Sequence, residues 1–145
     1  MDDERDNERP VIRAACVQLR SGIDRAANAA AAVELIGEAA GKGAHFIVTP
    51  EMTNAVDKDA ARLSAALPEG EGIEEIGAFA AAAAENGVWL LIGSLAIKRT
   101  DGRLANCSFS ARRRNRRPVR QDSYVRCRSR QWRELARIAR LRARR

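Results

Sequence analysis

The chain has 145 residues, 46% of them hydrophobic and 4% aromatic, which is enough for one domain with a core of mostly Ala, Val, Leu and Ile. One histidine and three cysteines without CxxC spacing exclude a multi-histidine metal site and argue against a disulfide framework or a zinc ribbon. The acidic start, MDDERDNERP, does not have the pattern of a signal peptide, and no apolar run approaches a membrane span, so we expect a cytoplasmic protein with no membrane contact.

Charge is divided unevenly along the chain. The formal net charge is +7, yet residues 1–110 carry 11 Lys+Arg against 17 Asp+Glu, whereas residues 111–145 carry 15 Arg, no Lys and 2 acids. The positive excess therefore belongs to the C-terminal segment alone. These changes in composition predict a disordered acidic N-terminus over 1–10, one domain over 11–109 and a basic, disordered tail over 110–145.

The first part of the domain has the pattern of a β-α-β unit. Val11–Gln18 is a β-branched and apolar run that predicts a strand. Asp24 is a candidate N-cap for a helix over Arg25–Ala40, and Ala44–Thr49 predicts a second strand, buried and closed by a proline. Such a unit favours an α/β fold in which helices cover a sheet.

Two more helices and a central strand follow. Ala60–Ala66 predicts a short helix, and Ile73–Asn86 has helical spacing of its apolar residues with Gly87 as a C-cap. The nearly all-apolar run Val88–Gly93 predicts a central strand buried on both faces.

A hairpin closes the domain. The Asp-Gly signal in Thr100–Arg103 predicts a tight turn between strands over Ser94–Arg99 and Leu104–Phe109. Beyond Phe109 the apolar residues follow neither the two-residue period of a strand nor the 3.6-residue period of a helix, apart from a weak helical stripe within Arg130–Arg144. We therefore expect the tail to be irregular or helical.

One carboxylate directly follows a predicted strand. Glu51 lies in the string TPEMTN at 49–54, and open α/β sheets carry their reactive groups at the carboxyl ends of strands. A carboxylate partly withdrawn from water has a raised pKa and can act as a general base. A Pro-Glu pair after a strand is also common in solvated loops, so the local string leaves both interpretations open. His45, the only histidine, is interpreted as a strand-edge residue.

Four strings occur in an order that resembles the N-terminal part of the nitrilase, or carbon-nitrogen hydrolase, superfamily. They are IRAACVQL at 12–19, a strand ending in TPE at 49–51, NGVWLLIGSLA at 86–96 and GRLANCSF at 102–109. The resemblance implies the N-terminal portion of an αββα sandwich. It also implies hydrolysis of a carbon-nitrogen bond in a small amide or nitrile without a metal or other cofactor, and assembly into a homo-oligomer.

The resemblance further implies a Glu-Lys-Cys triad, of which Glu51 matches the catalytic glutamate. In the family the cysteine attacks the amide or nitrile carbon and forms a thioester, the lysine stabilises the developing charge, and the glutamate moves protons. This chain has no lysine after Lys98, and neither Cys107 nor Cys127 lies in the family's cysteine string. Cys16 matches a strand position, where we expect core packing. The chain as given is therefore expected to be a truncated, inactive hydrolase.

The tail contains the family's missing string when it is read in a shifted frame. Joining bases two and three of each codon to the first base of the next allows Pro118–Ser129 to be read as RYDKIHMFDVDL and Gln131–Ile138 as NGESWRES. Gln121 followed by Asp122 can yield only Lys or Arg, and the family's lysine stands in a string resembling RYDKIHMFD. We therefore hypothesise that residues from about Ser110 onward are frameshifted. The shifted strings resemble the amidase branches that act on omega-amides or deaminated glutathione.

Two other functions remain open at this point. A genuine tail of 15 arginines with Tyr124 and Trp132 interleaved would bind nucleic acid non-specifically through its phosphates. Alternatively, the chain would be a non-catalytic partner of a full-length homologue.

Overall fold

A computed structural model describes residues 11–68, 74–112 and 124–127, excluding the side chains of residues 112 and 124–127. The elements in those ranges follow in the order β1 (Ala14–Cys16), α1 (Arg25–Gly41), β2 (Phe46–Thr49), α2 (Ala60–Ala66), α3 (Glu74–Asn86), β3 (Trp89–Lys98), β4 (Leu104–Arg112) and β5 (Tyr124–Cys127). The predicted N-terminus 1–10 and the helical stripe Arg130–Arg144 lie outside the described residues. Within the predicted tail, 110–145, the described residues belong to two strands: 110–112 form the end of β4, and 124–127 form β5.

The strands form one sheet in the order β1-β2-β3-β4-β5. The pairs β1-β2 and β2-β3 are parallel, and the pairs β3-β4 and β4-β5 are antiparallel. Parallel neighbours need a crossover connection, which α1 supplies between β1 and β2, and α2 with α3 supplies between β2 and β3. The predicted α/β class is confirmed.

The helices begin and end where local chemistry predicts. The Asp24 carboxylate accepts a hydrogen bond from the Ala27 N–H at 3.0 Å and starts α1, and α2 has the predicted bounds. Gly87, at φ 66°, follows α3 as the predicted C-cap. Within the described ranges no helix is long and apolar enough to cross a bilayer.

The first four strands differ in length from the predictions: β2 begins at Phe46 rather than Ala44, and β4 ends at Arg112 rather than Phe109. β1 is shorter than Val11–Gln18, because its pairing with β2 is limited to the three residues Ala14–Cys16 and the chain before it is exposed. β3 is one strand from Trp89 to Lys98 rather than two strands, and a register irregularity between Ile92 and Leu95 bends it without ending it. The Asp-Gly hairpin between β3 and β4 is confirmed, with Gly102 at φ 76°.

Helices α1 and α3 cover one face of the sheet. The core there is made of buried residues from both helices and the central strands, among them Ile36, Ile47, Phe79, Leu90 and Ile92. Register pairing places alternate residues on the opposite face.

That opposite face is partly open, which corrects two predictions. Trp89 is 49% exposed and Leu91 is half-buried, so the strand over Val88–Gly93 is not buried on both faces. Cys16 is exposed rather than packed in the core, because it stands opposite Val48 on the face that α1 and α3 do not cover. Helices α1 and α3 pack against the other face of the sheet and do not cover these residues.

Candidate functional site

Glu51 lies in a turn directly after β2, at the carboxyl end of the parallel strands. Side chains from neighbouring strands and crossovers meet at this edge of an open sheet, which is why reactive groups are common there. Glu51 itself is exposed, so the described residues do not supply the withdrawal from water that the sequence interpretation assumed. What the structure does supply is a rigid turn.

Ser94 on β3 holds both residues that follow Glu51. Its Oγ accepts a hydrogen bond from the Met52 N–H at 2.9 Å, and its carbonyl oxygen accepts one from the Thr53 N–H at 2.9 Å. Ser94 is buried and lies within the register irregularity of β3. The bend in β3 therefore brings one serine against the turn with both its side chain and its backbone.

Met52 has a left-handed backbone, with φ 54°. This conformation costs a residue with a side chain about 1–2 kcal/mol, so the surroundings must stabilise it. The two hydrogen bonds to Ser94 contribute to this, and the Met52 side chain packs against a small cluster formed by Ala55, Leu63, Leu67 and Ala96.

The hydroxyl groups of two buried threonines, Thr49 and Thr53, form hydrogen bonds within the turn and to β3. Thr53 Oγ1 donates to the Pro50 carbonyl at 2.7 Å, and Thr49 Oγ1 lies 2.8 Å from Thr53 Oγ1. A hydroxyl has one proton, so Thr53 must accept from Thr49. Thr49 Oγ1 in turn lies 3.4 Å from the Gly93 N of β3. The threonines thus join the turn, β2 and β3.

Sequence reasoning found Glu51 but missed the residues that hold its turn. Ser94 was interpreted only as the start of a strand, and the buried Asn28 and Asn54 were not singled out. One signal was available: Asn28 interrupts the alanine-rich helix between Ala27 and Ala29, and a polar residue on a buried helical face needs hydrogen-bond partners.

The other candidate residues lie elsewhere. His45 Nδ1 accepts a hydrogen bond from the Arg13 N–H at 3.2 Å, which agrees with a strand-edge role. Cys107 is buried and disulfide-bonded, and it stands opposite Cys127 in the β4-β5 register. The sequence argues against a framework of several disulfides, and the bond at Cys107 is one that the spacing of the cysteines does not predict. No group of His, Cys, Asp and Glu in the described ranges could hold a metal ion.

Solved structures resemble this chain over about two thirds of its length. An amidase from Nesterenkonia sp. has a TM-score of 0.59 and 18% identity, covering 70% of this chain and 38% of its own. A carbon-nitrogen hydrolase from Helicobacter pylori G27 has a TM-score of 0.55 and 23% identity, covering 68% of this chain and 35% of its own. The NitFhit protein of C. elegans has a TM-score of 0.56 and 20% identity, covering 67% of this chain and 24% of its own.

These likenesses concern the fold, and this chain spans well under half the length of each of the three proteins. No curated protein sequence matches it. A family model, described as Carbon-nitrogen hydrolase, matches residues 13–116. This match covers most of the chain and confirms the resemblance in the sequence: the protein belongs to the carbon-nitrogen hydrolase family.

Proposed function

We propose that the intact form of this protein hydrolyses the carbon-nitrogen bond of a small amide, with Glu51 as the group that moves protons. The observation that carries the proposal is the position of Glu51, exposed at the carboxyl edge of the parallel strands on a turn held by Ser94. An exposed carboxylate on a rigid backbone can meet a substrate in a constant orientation, which is what proton transfer needs.

The rest of the chemistry follows the family resemblance. A cysteine thiol gives its proton to Glu51 and attacks the amide carbon, and a lysine stabilises the negative charge on the oxygen. As this intermediate collapses, its amino group takes the proton from Glu51 and leaves as ammonia, and a thioester remains. Water then hydrolyses the thioester to the acid, again with Glu51 moving the proton, and the cysteine is restored.

The proposed substrates are short, uncharged amides or nitriles. Variants of the Nesterenkonia amidase form complexes with acrylamide and with butyramide, which are uncharged amides. This chain supplies no cationic side chain within the Glu51 turn, Thr49–Asn54, that would select an acidic substrate.

The 145-residue chain is proposed to be inactive. It has no lysine after Lys98 and no cysteine in the family's string, so the nucleophile and the stabilising cation are both missing. Such residues act as a unit, and the loss of any of them removes orders of magnitude of rate.

We further propose that the tail from about Ser110 is a displaced reading frame. The family match ends at residue 116, immediately before Pro118–Ser129, the segment that can be read as RYDKIHMFDVDL. The arginine-rich, lysine-free composition of the tail supports the same explanation. The nucleotide sequence through the codons for Phe109–Arg120 tests it, and a one-base shift that gives no KIHMFD-like string would refute it.

The function is tested with a gene whose frame is restored within those codons. We expect the restored protein to release ammonia from butyramide, and Glu51→Gln to lower the rate by about 10³ or more. Glu85→Gln is the matched control, because Glu85 is also exposed but lies at the other end of the sheet, near the end of α3. The proposal fails if the restored protein folds without releasing ammonia, or if Glu51→Gln and Glu85→Gln behave alike.

A further inference from the structure

Asn54 is bound to β3 by both ends of its amide. Its Nδ2 donates to the Ala96 carbonyl at 2.9 Å, and its Oδ1 accepts from the Ala96 N–H at 2.8 Å. The residue is fully buried. This pair of bonds occupies both backbone groups of Ala96, so the side chain takes the place that a neighbouring strand would have.

Asn28 on α1 holds Asn54 from the other side. Its Nδ2 donates to the Asn54 carbonyl at 2.8 Å and to the Gly22 carbonyl at 2.9 Å. Its Oδ1 accepts from the Gly22 N–H at 3.1 Å. Both protons of the Asn28 amide are thus used, and one of them binds the turn that follows Glu51.

The side-chain amides of Asn28 and Asn54 connect three parts of the fold. Asn28 on α1 binds the backbone of Asn54 after the Glu51 turn, and the Asn54 side chain binds β3. Ser21, one residue before Gly22, adds a hydroxyl donated to the Thr53 carbonyl at 3.1 Å. The turn therefore has two fixed ends, β2 before Glu51 and Asn54 after it. The left-handed Met52 lies between these ends.

We propose that Asn54, held by Asn28, is a positioning residue that keeps the turn carrying Glu51 in the conformation with a left-handed Met52. The physical reason is the left-handed backbone at Met52, which persists only while both ends of the turn are fixed. Without the Asn54 anchor, Met52 relaxes to a negative φ, and the chain that carries Glu51 turns away. The role of Glu51 rests on the proposed function, but the geometry does not, and its test uses no hydrolysis.

The test is nuclear magnetic resonance of the full 145-residue chain, observing Met52. A positive φ gives a strong NOE between the amide proton and the Hα of the same residue. We expect this signal in the unchanged chain and its loss in Asn54→Ala. Leu63→Ala is the matched control, because Leu63 is buried in the cluster that contacts Met52 but makes no hydrogen bond to the turn, and we expect the signal to remain.

Asn54→Asp gives a second readout. Its ionised carboxylate can accept from the Ala96 N–H but cannot donate to the Ala96 carbonyl, so we expect the Met52 signal to be lost at a pH high enough to ionise this buried group. The protonated acid can donate again, so the signal should return on acidification. Asn54→Ala, which has no group to protonate, should not recover.

Retention of the positive-φ signal in a folded Asn54→Ala chain overturns the proposal, as does its absence from the unchanged chain. If Asn54→Ala does not fold, Asn54→Asp decides: a Met52 signal that stays unchanged in a titration from acid to alkaline pH also overturns it. A failure of the hydrolase proposal would appear instead as missing ammonia release, so the two outcomes are distinguishable.

Discussion

Gly93 passes so close to Pro50 that no side chain fits between the two residues. A Cβ on Gly93 would stand 2.7 Å from both the carbonyl carbon and the carbonyl oxygen of Pro50, and 2.5 Å from the carbonyl oxygen of Thr49. These atoms belong to the backbone that leads into Glu51, so they cannot move aside as a flexible side chain would. The absence of a side chain at Gly93 allows β3 to approach the Glu51 turn.

Gly93→Ala should therefore destabilise the fold by about 1–3 kcal/mol through overpacking. Gly77→Ala is the matched control, because a Cβ at Gly77 would meet nothing within 4 Å and Gly77 lies inside α3. There the change should stabilise by about 0.5–1 kcal/mol, since alanine favours the helix. Urea unfolding measures both, and effects of the same sign would contradict the close approach.

Arg25 and Glu75 join α1 to α3 through a largely buried ion pair. Arg25 Nε lies 2.6 Å from Glu75 Oε1, with Arg25 20% and Glu75 6% exposed. Glu75 Oε2 has no hydrogen-bond partner among the described residues, so Arg25 is the group that offsets this buried charge.

Arg25→Met should lower the free energy of unfolding by about 3 kcal/mol, because it leaves the Glu75 carboxylate buried without its cation. Replacing both partners, as in Arg25→Met with Glu75→Met, should recover most of the loss, since two apolar side chains need no pairing. Chemical denaturation of the two single variants and the double variant forms a complete cycle. A double variant as unstable as Arg25→Met would show that packing, rather than the unpaired charge, causes the loss.

Asp57 makes the stability dependent on acid pH. The hydrogen bonds from the Arg62 guanidinium, followed by the one from the Asp59 N–H, hold the pKa of Asp57 below its ordinary value of 3.8. A carboxyl group with a lowered pKa in the folded state stabilises the fold above its unfolded value, and this contribution is lost as pH falls through the folded value.

The free energy of unfolding should therefore fall as pH decreases below about 4, and the fall should be smaller in Asp57→Asn. Arg62→Met should reduce the same slope, because Arg62 is the main cause of the shift. Urea unfolding at a series of acid pH values measures the slopes. An Asp57→Asn chain with the slope of the unchanged chain would refute the assignment.

Among the cysteines whose side chains the structure describes, Cys16 should be the accessible thiol. It is free and exposed on β1, whereas Cys107 is fully buried and disulfide-bonded. Brief alkylation of the native chain, read by mass spectrometry, should modify Cys16 and leave Cys107 unmodified until the chain is reduced and unfolded. Cys16→Ser is the control. Protection of Cys16 in the native chain would show that its face of the sheet is covered in solution.

Helices whose ends depend on residues close in the sequence could be predicted well. Asp24 caps α1, and Ala60–Ala66 forms α2 with the predicted bounds, because a helix depends on caps and spacing within a few residues. The lengths of β1 and β3 could not be predicted, since a strand ends where its partner ends. β1 is limited by the three residues that pair with β2, and β3 continues because β4 pairs with it on both sides of the irregularity.

The sequence by itself determined the α/β class, the family, the place of Glu51 after a strand and the change of composition at the basic tail. These depend on patterns along the chain. Only the tertiary structure decided that Ser94, Asn54 and Asn28 hold the Glu51 turn, and that Cys16 is exposed. The physical reason is distance along the chain: Met52 and Ser94, like Asn54 and Ala96, are 42 residues apart, and only the packing of β3 against the turn brings them within hydrogen-bond range.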